Sequence, residues 1–335
     1  MNSLLQIVWD VNPVIVNIPA SVAKICCVVI MLSTIVGSYL STRKPDGIKK
    51  QEFYFISAVT LLIGGVIAFK IGSPELRYYG LLFMTGFVIG YYMFVWFFKR
   101  ENLPINLLET LLFLLIGCTI IGSRLGHVLF YQPDYYLANP GEIFKVWEGG
   151  LASHGGTIAI MLGIWWYVKK YGKKYDFDYL WLLDRLAIAT SFAAMFIRLG
   201  NLMNSEIYGN QTDLPWGFVF VHAGEIFPKH PTQLYEALCY LATGVILFTL
   251  YKYANKKIYR GLLLGIFFIG IFFSRFMIEF VKENQVNFEE GMTLNMGQLL
   301  SIPFVILGVY LIARSFKVKT PFEIVRPVRG KGKIK

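Results

Sequence analysis

The sequence predicts an all-α protein, a polytopic membrane helical bundle of about nine transmembrane helices. Hydrophobic residues make up 56% of the chain and charged residues only 16%, whereas soluble domains carry about 25% charged residues. Apolar runs near the roughly 20 residues that cross a bilayer recur along the chain, and basic residues concentrate in alternate loops. The predicted spans are 20–40, 53–71, 78–98, 108–131, 154–168, 178–200, 233–251, 261–281 and 295–313.

The positions of the basic residues predict how the bundle is oriented. Five segments hold 4, 2, 4, 4 and 8 Lys and Arg residues: 41–52, 99–107, 169–177, 252–260 and the tail from Arg314. The alternating segments, which are the N-terminus, 72–77, 132–153, 201–232 and 282–294, hold 0, 1, 1, 1 and 1. Because cytoplasmic loops are enriched in basic residues, we expect the N-terminus outside and the C-terminus in the cytoplasm. The net charge of +11 then indicates topology and contact with anionic lipid headgroups rather than nucleic-acid binding.

The cysteines and histidines show neither a disulfide framework nor a metal-ligand spacing. The four cysteines fall inside predicted spans without a CxxC pattern: Cys26, Cys27, Cys118 and Cys239. The four histidines are scattered along the chain. We therefore expect no metal and no cofactor. Because no cationic segment precedes the first apolar run, we also expect no cleaved signal peptide.

Six basic residues lie within the predicted spans. They are Lys24, Lys70, Arg124, Arg185, Arg198 and Arg275. A charge in the bilayer core costs roughly 2.5–3.5 kcal/mol on insertion scales, so each needs a partner or a route to the interface. The two lysines lie near span ends, where a long side chain reaches the interface. Arg185 follows Asp184 near the cytoplasmic end of its span, and we expect Arg185 to form a structural ion pair on that side.

The remaining three arginines point to an anion site. Arg124, Arg198 and Arg275 each lie toward the outer half of their predicted helices, so they are expected to approach one non-cytoplasmic cavity. A guanidinium bonds two oxygens at once and therefore suits phosphate. Glu279 follows Arg275 by four residues, a spacing at which it can hold the arginine. Salt bridges between helices are the alternative for each arginine.

The outer segments add polar side chains to this cavity. In "IRLGNLMNSEIYG", Asn201, Asn204 and Glu206 follow Arg198 and suggest a buried polar site. In "WEGGLASHGGTIAI", His154 is a candidate proton acceptor near neutral pH, or alternatively a capping residue. The glycine pair after it, Gly155 and Gly156, allows a close approach to a ligand or to another helix.

The segment "HPTQLYEALCYL" opens the next predicted span. Its Glu236 has an ordinary explanation, because acidic groups stabilise the positive end of a helix. Gln233 and Tyr235 have no such explanation and are candidate binding residues.

Together these motifs resemble the prolipoprotein diacylglyceryl transferase family. The resemblance covers roughly residues 77–313 in family order. It rests on "RYYGLLFMTGFVIGYY", "GSRLGHVLFY", "WEGGLASHGG", "IRLGNLMNSEIYG", "HPTQLYEAL" and "SRFMIEFVKENQ". The "RxGNxxNxExxG" pattern with "HPTQLYE" downstream is the most specific part.

The resemblance implies an enzyme that moves the diacylglyceryl group of phosphatidylglycerol onto the lipobox cysteine of a preprolipoprotein, releasing glycerol phosphate. It also implies a bacterial cytoplasmic (inner) membrane protein with its site toward the periplasm. The family's two essential arginines match Arg198 and Arg275. The other matched positions are Asn201, Glu206 and Gly209 beside the first arginine, Glu279 beside the second, His154 in the HGG motif, and Tyr79.

The expected chemistry agrees with these residues. Fixed donors aimed at the departing phosphate stabilise the transition state more than the ground state, a role that fits Arg198 and Arg275. A thiol with a pKa near 8.5 needs help to ionise. His154 is the candidate base, and positioning of the substrate is its alternative role.

The resemblance also divides the chain. The divisions are a periplasmic amphipathic arm at 1–19, an inserted transmembrane hairpin at 20–76, a catalytic core of seven helices at 77–313 with a periplasmic head at 201–232, and a basic cytoplasmic tail at 314–335. The hairpin departs from the family pattern, but two spans return the chain to the same side and preserve the orientation of the core.

Two other functions would also account for some of these features. An anion transporter or channel also places arginines in the membrane, but it predicts inverted repeats and discontinuous helices, and no repeat is visible. A structural membrane scaffold predicts no catalytic loss when Arg198 is replaced.

Overall fold

A computed structural model gives the arrangement of the chain. It describes residues 7–43, 54, 57, 60–61, 72–145, 150, 152–253, 258–283 and 293–322. The predicted second span, 53–71, lies almost entirely outside these residues.

Nine helices of six residues or more have both ends within these ranges. They are α1 (Ala20–Ser41), α2 (Tyr78–Arg100), α3 (Ile105–Phe130), α4 (Pro133–Ala138), α5 (Ser153–Tyr175), α6 (Tyr179–Met203), α7 (Thr232–Tyr253), α8 (Leu262–Val281) and α9 (Met296–Val318). Seven of them are long and apolar enough to cross a membrane, all except α4 and α5. The chain is therefore a multi-pass membrane protein. Nine crossings and the orientation of the termini stay predictions.

Helix α5 corresponds to the predicted span 154–168 but extends further, to Tyr175. Its second half carries Lys169, Lys170, Lys173 and Lys174. These four charges explain why α5 is less apolar than the other long helices.

Helix α6 lies at the centre of the bundle, where it packs against α2, α7 and α8, while α5 packs on α3 and α9 packs on α8. Small residues permit these contacts. A Cβ at Gly86 of α2 would lie 3.1 Å from the Cα of Ala193 on α6. Gly155 of α5 lies directly against Gly122 and Gly126 of α3. Gly155, the first glycine of the HGG motif, therefore allows close packing of two helices, which is one of the two roles expected for it.

The start of α6 contains a fully buried cation. Arg185 pairs with Glu101 at 2.6 Å, and its Cζ lies 4.1 Å from the ring centroids of both Trp181 and Phe322. The expected structural ion pair of Arg185 is therefore present, with Glu101 as its partner, whereas the adjacent Asp184 does not face Arg185 on the helix. Asp184 instead accepts the backbone N–H groups of Gly261 and Leu264 at 2.7 and 2.8 Å, at the start of α8.

Four short strands form two ribbons within this helical fold. They are β1 (Ile7–Trp9), β2 (Val14–Asn17), β3 (Glu75–Arg77) and β4 (Phe218–Phe220). Antiparallel pairing of β2 with β3 brings the two ends of the predicted insertion together. The segment before α1 and the segment before α2 therefore lie side by side.

The other ribbon ties the N-terminal arm to the 201–232 loop. Strands β1 and β4 are parallel, with Trp9 opposite Phe220. The Trp9 indole donates to the carbonyl of Leu202 at 3.1 Å and stacks on Phe218 with centroids 5.3 Å apart. The arm therefore packs over the C-terminal end of α6.

Candidate active site

Arg198 lies near the C-terminal end of α6 and faces α7. Its side chain is 15% exposed, and its Nε lies 2.6 Å from Oε2 of Glu236, which is fully buried. One terminal nitrogen, Nη1, donates to Oδ1 of Asn201 at 3.3 Å. The guanidinium is therefore held along one edge by a carboxylate, which offsets the cost of its burial.

The polar residues after Arg198 form a connected network. Glu206 Oε1 accepts from the Asn201 amide at 2.7 Å and from the Asn204 amide at 3.3 Å. Gln233 of α7 donates to the Glu206 carbonyl at 2.6 Å. The structure thus brings together four of the predicted site residues and Arg198, across α6, α7 and the loop between them.

The backbone of this loop is strained beside the network. Ser205 and Ile207 have φ values of 53° and 61°, a region that β-branched residues rarely enter. Thr232 Oγ1 at the start of α7 donates to the Ile207 carbonyl at 2.9 Å and holds this conformation. Strain of this kind, maintained by the surrounding structure, is typical of functional sites.

Gly209 is a point of close contact in the same loop. Its N–H donates to the His230 carbonyl at 2.8 Å, and a Cβ there would lie 2.8 Å from side-chain carbons of His230 and Thr232 and within contact distance of the Val281 carbonyl. The requirement for glycine is therefore steric: only glycine lets the loop lie against the end of α8.

Arg275 lies on α8, just after a π-helical turn at Ile269–Phe273. Such turns often occur at functional sites. Tyr240 of α7 is 3% exposed and is within electrostatic reach of both Arg275 and Arg198. The Arg198 Cζ is 6.0 Å from the Tyr240 ring centroid. Two of the three predicted guanidiniums therefore share one buried neighbour.

Glu279 does not hold Arg275 as expected. Its Oε2 pairs with Nζ of Lys282 at 3.3 Å, and Lys282 also contacts Oε1 of Glu236 at 3.2 Å. The last turn of α8 tightens from Glu279 onward, which directs this carboxylate toward the residue three positions later. Within the described part of the chain, Arg275 has no carboxylate within 4.0 Å.

Several buried polar atoms around these arginines lack a hydrogen-bond partner among the described residues. They are Asn204 Oδ1, Ser205 Oγ, Gln233 Oε1 and Arg275 Nε. Buried polar atoms are nearly always satisfied. Three of these atoms, on Asn204, Ser205 and Gln233, belong to the end of α6, the loop after it and the start of α7, which makes this region a candidate position for a polar ligand.

The two predicted tyrosines flank the network. A Cβ on Gly200 would lie 2.7 Å from Cδ2 of Tyr79, so the Tyr79 ring packs on α6 beside Asn201. The Tyr235 hydroxyl accepts from the Trp216 indole at 2.9 Å and lies 3.2 Å from Nδ1 of His230. Burial lowers the pKa of His230 below its ordinary value, so this imidazole is held neutral.

Arg124 and His154 have different surroundings. Arg124 donates to the carbonyls of Ile143 at 2.9 Å and Glu142 at 2.6 Å, and its Cζ lies 5.1 Å from the Tyr136 ring centroid. It borders a cavity of about 650 Å³. His154 is exposed in the first turn of α5. The described contacts join neither residue to Arg198, so a single cavity with three arginines stays a prediction.

Lys282 and Tyr240 lie beside Glu236 and the two arginines, and neither residue is among those predicted from the sequence. Lys282 carried a signal, since it is the single basic residue of the outer segment 282–294 and follows Glu279 by three positions. Tyr240 carried a weaker one, its four-residue spacing from Glu236 on one face of α7.

In chemical terms, two guanidiniums and several amide groups lie in this region, and a carboxylate contacts Arg198. Groups of this kind can bind a phosphate group and stabilise its charge. The region also lies among membrane-spanning helices, where a lipid phosphate can reach it.

Comparison with known proteins supports this interpretation. The family model described as prolipoprotein diacylglyceryl transferase matches residues 66–314. A phosphatidylglycerol–prolipoprotein diacylglyceryl transferase of Porphyromonas gingivalis is 48% identical over 265 residues, covering 75% of this chain and 93% of the relative. Proteins of the same name from Tolumonas auensis and Chloroherpeton thalassium are 45% and 42% identical, covering 76% and 74% of this chain and 96% and 91% of the relatives. The chain belongs to the prolipoprotein diacylglyceryl transferase family.

Proposed function

We propose that this chain transfers the diacylglyceryl group of phosphatidylglycerol to the lipobox cysteine thiol of a preprolipoprotein, forming a thioether and releasing glycerol phosphate. The observation that carries the proposal is the placement of Arg198 and Arg275 around Tyr240, beside buried polar atoms that lack partners. The family and the substrates named for the relatives supply the reaction.

In this reaction the thiolate sulfur forms a bond to the glycerol carbon as the bond from that carbon to the phosphate oxygen breaks. The electron pair leaves with the oxygen, so negative charge grows on the phosphate. Arg198, oriented by Glu236, and Arg275 stabilise this charge. Each well-placed donor of this kind lowers the activation free energy by roughly 2.7–4 kcal/mol.

The proton of the thiol must leave before or during the attack. We assign His154 as the proton acceptor, with positioning of the peptide as its alternative role. Its exposure at the start of α5 supports contact with a substrate that arrives from outside the bundle. A neighbouring cationic site would in addition favour the thiolate form.

The other predicted residues are proposed to shape the binding site. Gln233, Asn201 and Asn204 fix Glu206 and the loop around it, and Gly209 lets that loop reach α8. Tyr79, Tyr235, Glu279 and Arg124 are proposed to bind substrate or to support the groups that do.

We further propose that the protein lies in the bacterial cytoplasmic membrane with nine spans and that the site faces the periplasm. The supporting observation is the alternation of basic residues between loops. The Arg198 end of α6 precedes the 201–232 segment, which holds a single basic residue. The proposed divisions are those given from the sequence, with 20–76 as an inserted hairpin.

The test is lipid transfer by the purified protein, with phosphatidylglycerol and a lipobox peptide, read by mass spectrometry. The wild type should add one diacylglyceryl group through a thioether. Arg198→Ala and a peptide with serine in place of the cysteine should give no product. Arg260→Ala is the matched control, because Arg260 is also nearly buried and paired, with Asp178 at 3.0 Å, at the opposite end of α6. Loss of transfer in this control as well, or an inactive folded wild type, would contradict the proposal.

A further inference from the structure

The buried ion pairs behind Arg198 form a chain of four groups. Glu279 contacts Lys282, Lys282 contacts Glu236, and Glu236 contacts Arg198, at 3.3, 3.2 and 2.6 Å. The side chains of Glu279, Lys282 and Glu236 are only 6%, 4% and 0% exposed. An ammonium group buried to this extent is costly unless it is paired on more than one side.

The backbone places Lys282 where three elements meet. It follows the end of α8 and pairs with Gly209 of the 201–232 loop in an isolated β-bridge. The N–H of Asn210, the next residue of that loop, donates to the carbonyl of Val281, the residue before Lys282, at 2.8 Å. From this anchored position the Lys282 side chain reaches Glu236 on α7. The backbone contacts around Lys282 therefore fix the direction of its side chain.

The two oxygens of Glu236 have different partners. Oε1 contacts Lys282, whereas Oε2 contacts Nε of Arg198. Lys282 thereby fixes the plane of the carboxylate, and the carboxylate in turn fixes the edge of the guanidinium. Of the terminal nitrogens of Arg198, Nη1 donates to Oδ1 of Asn201 at 3.3 Å.

The charges of the four groups also balance. Lys282 and Arg198 carry two positive charges, and Glu236 and Glu279 carry two negative ones. Without Lys282, both carboxylates would act on Arg198, since Glu279 is already within its electrostatic reach. The guanidinium would then turn toward the carboxylates, and the site would lose one positive charge, which weakens its attraction for a phosphate.

We propose that Lys282 is a positioning residue, which acts through Glu236 to hold Arg198 in the orientation that binds the lipid phosphate. The proposal rests on the proposed function. Lys282 itself does not touch substrate, because its ammonium is enclosed behind the two carboxylates.

The test compares Lys282→Met with Lys282→Arg in the lipid transfer assay, with kcat and KM measured per folded protein. Lys282→Met should lower kcat by about 10- to 100-fold, as expected when a reacting group is displaced. Lys282→Arg keeps the charge and should stay within about fivefold of the wild type. The matched control is Lys229→Met. Lys229 also bridges two glutamates, Glu225 and Glu283, but has no contact with Arg198 or Glu236, and its kcat should be unchanged.

A double variant separates positioning from general stability. If Lys282 acts through Arg198, then Lys282→Met should add less than about threefold to the effect of Arg198→Lys, because coupled residues are not additive. If Lys282→Met does not fold, Glu279→Gln with Lys282→Met keeps the charge balance and tests the same contact. This pair should still show the lowered kcat, since Glu236 remains unsupported.

The outcomes distinguish the two proposals. An inactive wild type overturns the proposed function whatever the lysine variants do. An active wild type with Lys282→Met within about threefold of it, or equal losses in Lys282→Met and Lys229→Met, overturns the positioning role.

Discussion

Replacement of Arg198 by lysine separates the two roles that the structure gives this residue. Arg198 uses Nε to pair with Glu236 at 2.6 Å and Nη1 to donate to Asn201 at 3.3 Å, and the terminal nitrogens are the proposed phosphate donors. A lysine has one nitrogen, which can occupy the position near Glu236 but cannot also form a fork toward phosphate. The variant therefore keeps the buried ion pair and loses the phosphate donors.

The magnitudes of the two effects differ. Loss of one well-placed donor group lowers kcat by about 10²–10³, or roughly 2.7–4 kcal/mol. Loss of the ion pair would leave Glu236 with one fewer partner at a cost of about 3–5 kcal/mol in stability. Arg198→Lys should thus show the first effect and only a fraction of the second, whereas Arg198→Ala should show both.

The assay is the initial rate of lipid transfer at saturating phosphatidylglycerol, together with the melting temperature in detergent. Arg260→Lys serves as the control at the other end of α6. A rate for Arg198→Lys within about threefold of the wild type would refute the role of the forked donor. A melting temperature as low as that of Arg198→Ala would refute the retained ion pair.

Three further predictions concern the loop beside the site. Gly209→Ala should abolish transfer and lower the melting temperature, since the added Cβ meets the Val281 carbonyl; unchanged melting would contradict this packing. Ile207→Gly should relieve the strain of a left-handed φ of 61°, so the free energy of unfolding should change by less than about 1 kcal/mol. The same replacement at a buried isoleucine with an ordinary φ should cost more, and denaturant titration compares the two variants. Burial lowers the pKa of His230 from 6.5, so its contribution to stability is present above pH 6.5 and is lost as the pH falls toward its folded-state pKa. His230→Gln should therefore make the melting temperature depend less on pH between pH 7 and 5. An identical dependence of the melting temperature on pH in both proteins would show that another group is responsible.

The long apolar helices could be predicted from the sequence because their signal is local. The predicted spans 78–98, 233–251 and 261–281 correspond to Tyr78–Arg100, Thr232–Tyr253 and Leu262–Val281. Bilayer thickness sets the length of such runs, so their ends are found within a few residues. Strands of three or four residues, such as β1 and β4, have no comparable signal, since they form only when distant segments meet.

The part of the candidate site whose residues are close in sequence could also be predicted. Arg198, Asn201 and Glu206 are close in sequence, and the structure joins them by direct hydrogen bonds. The partners of charged groups depended on tertiary packing instead. Arg185 pairs with Glu101, 84 positions away, and Lys282 reaches Glu236, 46 positions away. No spacing rule within one helix identifies such partners.

The central claim is that a thiol displaces phosphate at carbon, with Arg198 and Arg275 stabilising the phosphate that leaves. The most direct measurement uses phosphatidylglycerol with ¹⁸O in the oxygen between the diacylglyceryl carbon and phosphorus, and follows the label by mass spectrometry. The account predicts that all of the label appears in the released glycerol phosphate and none in the lipidated peptide. Label retained with the diacylglyceryl group would show that the phosphorus–oxygen bond breaks, which would contradict the mechanism.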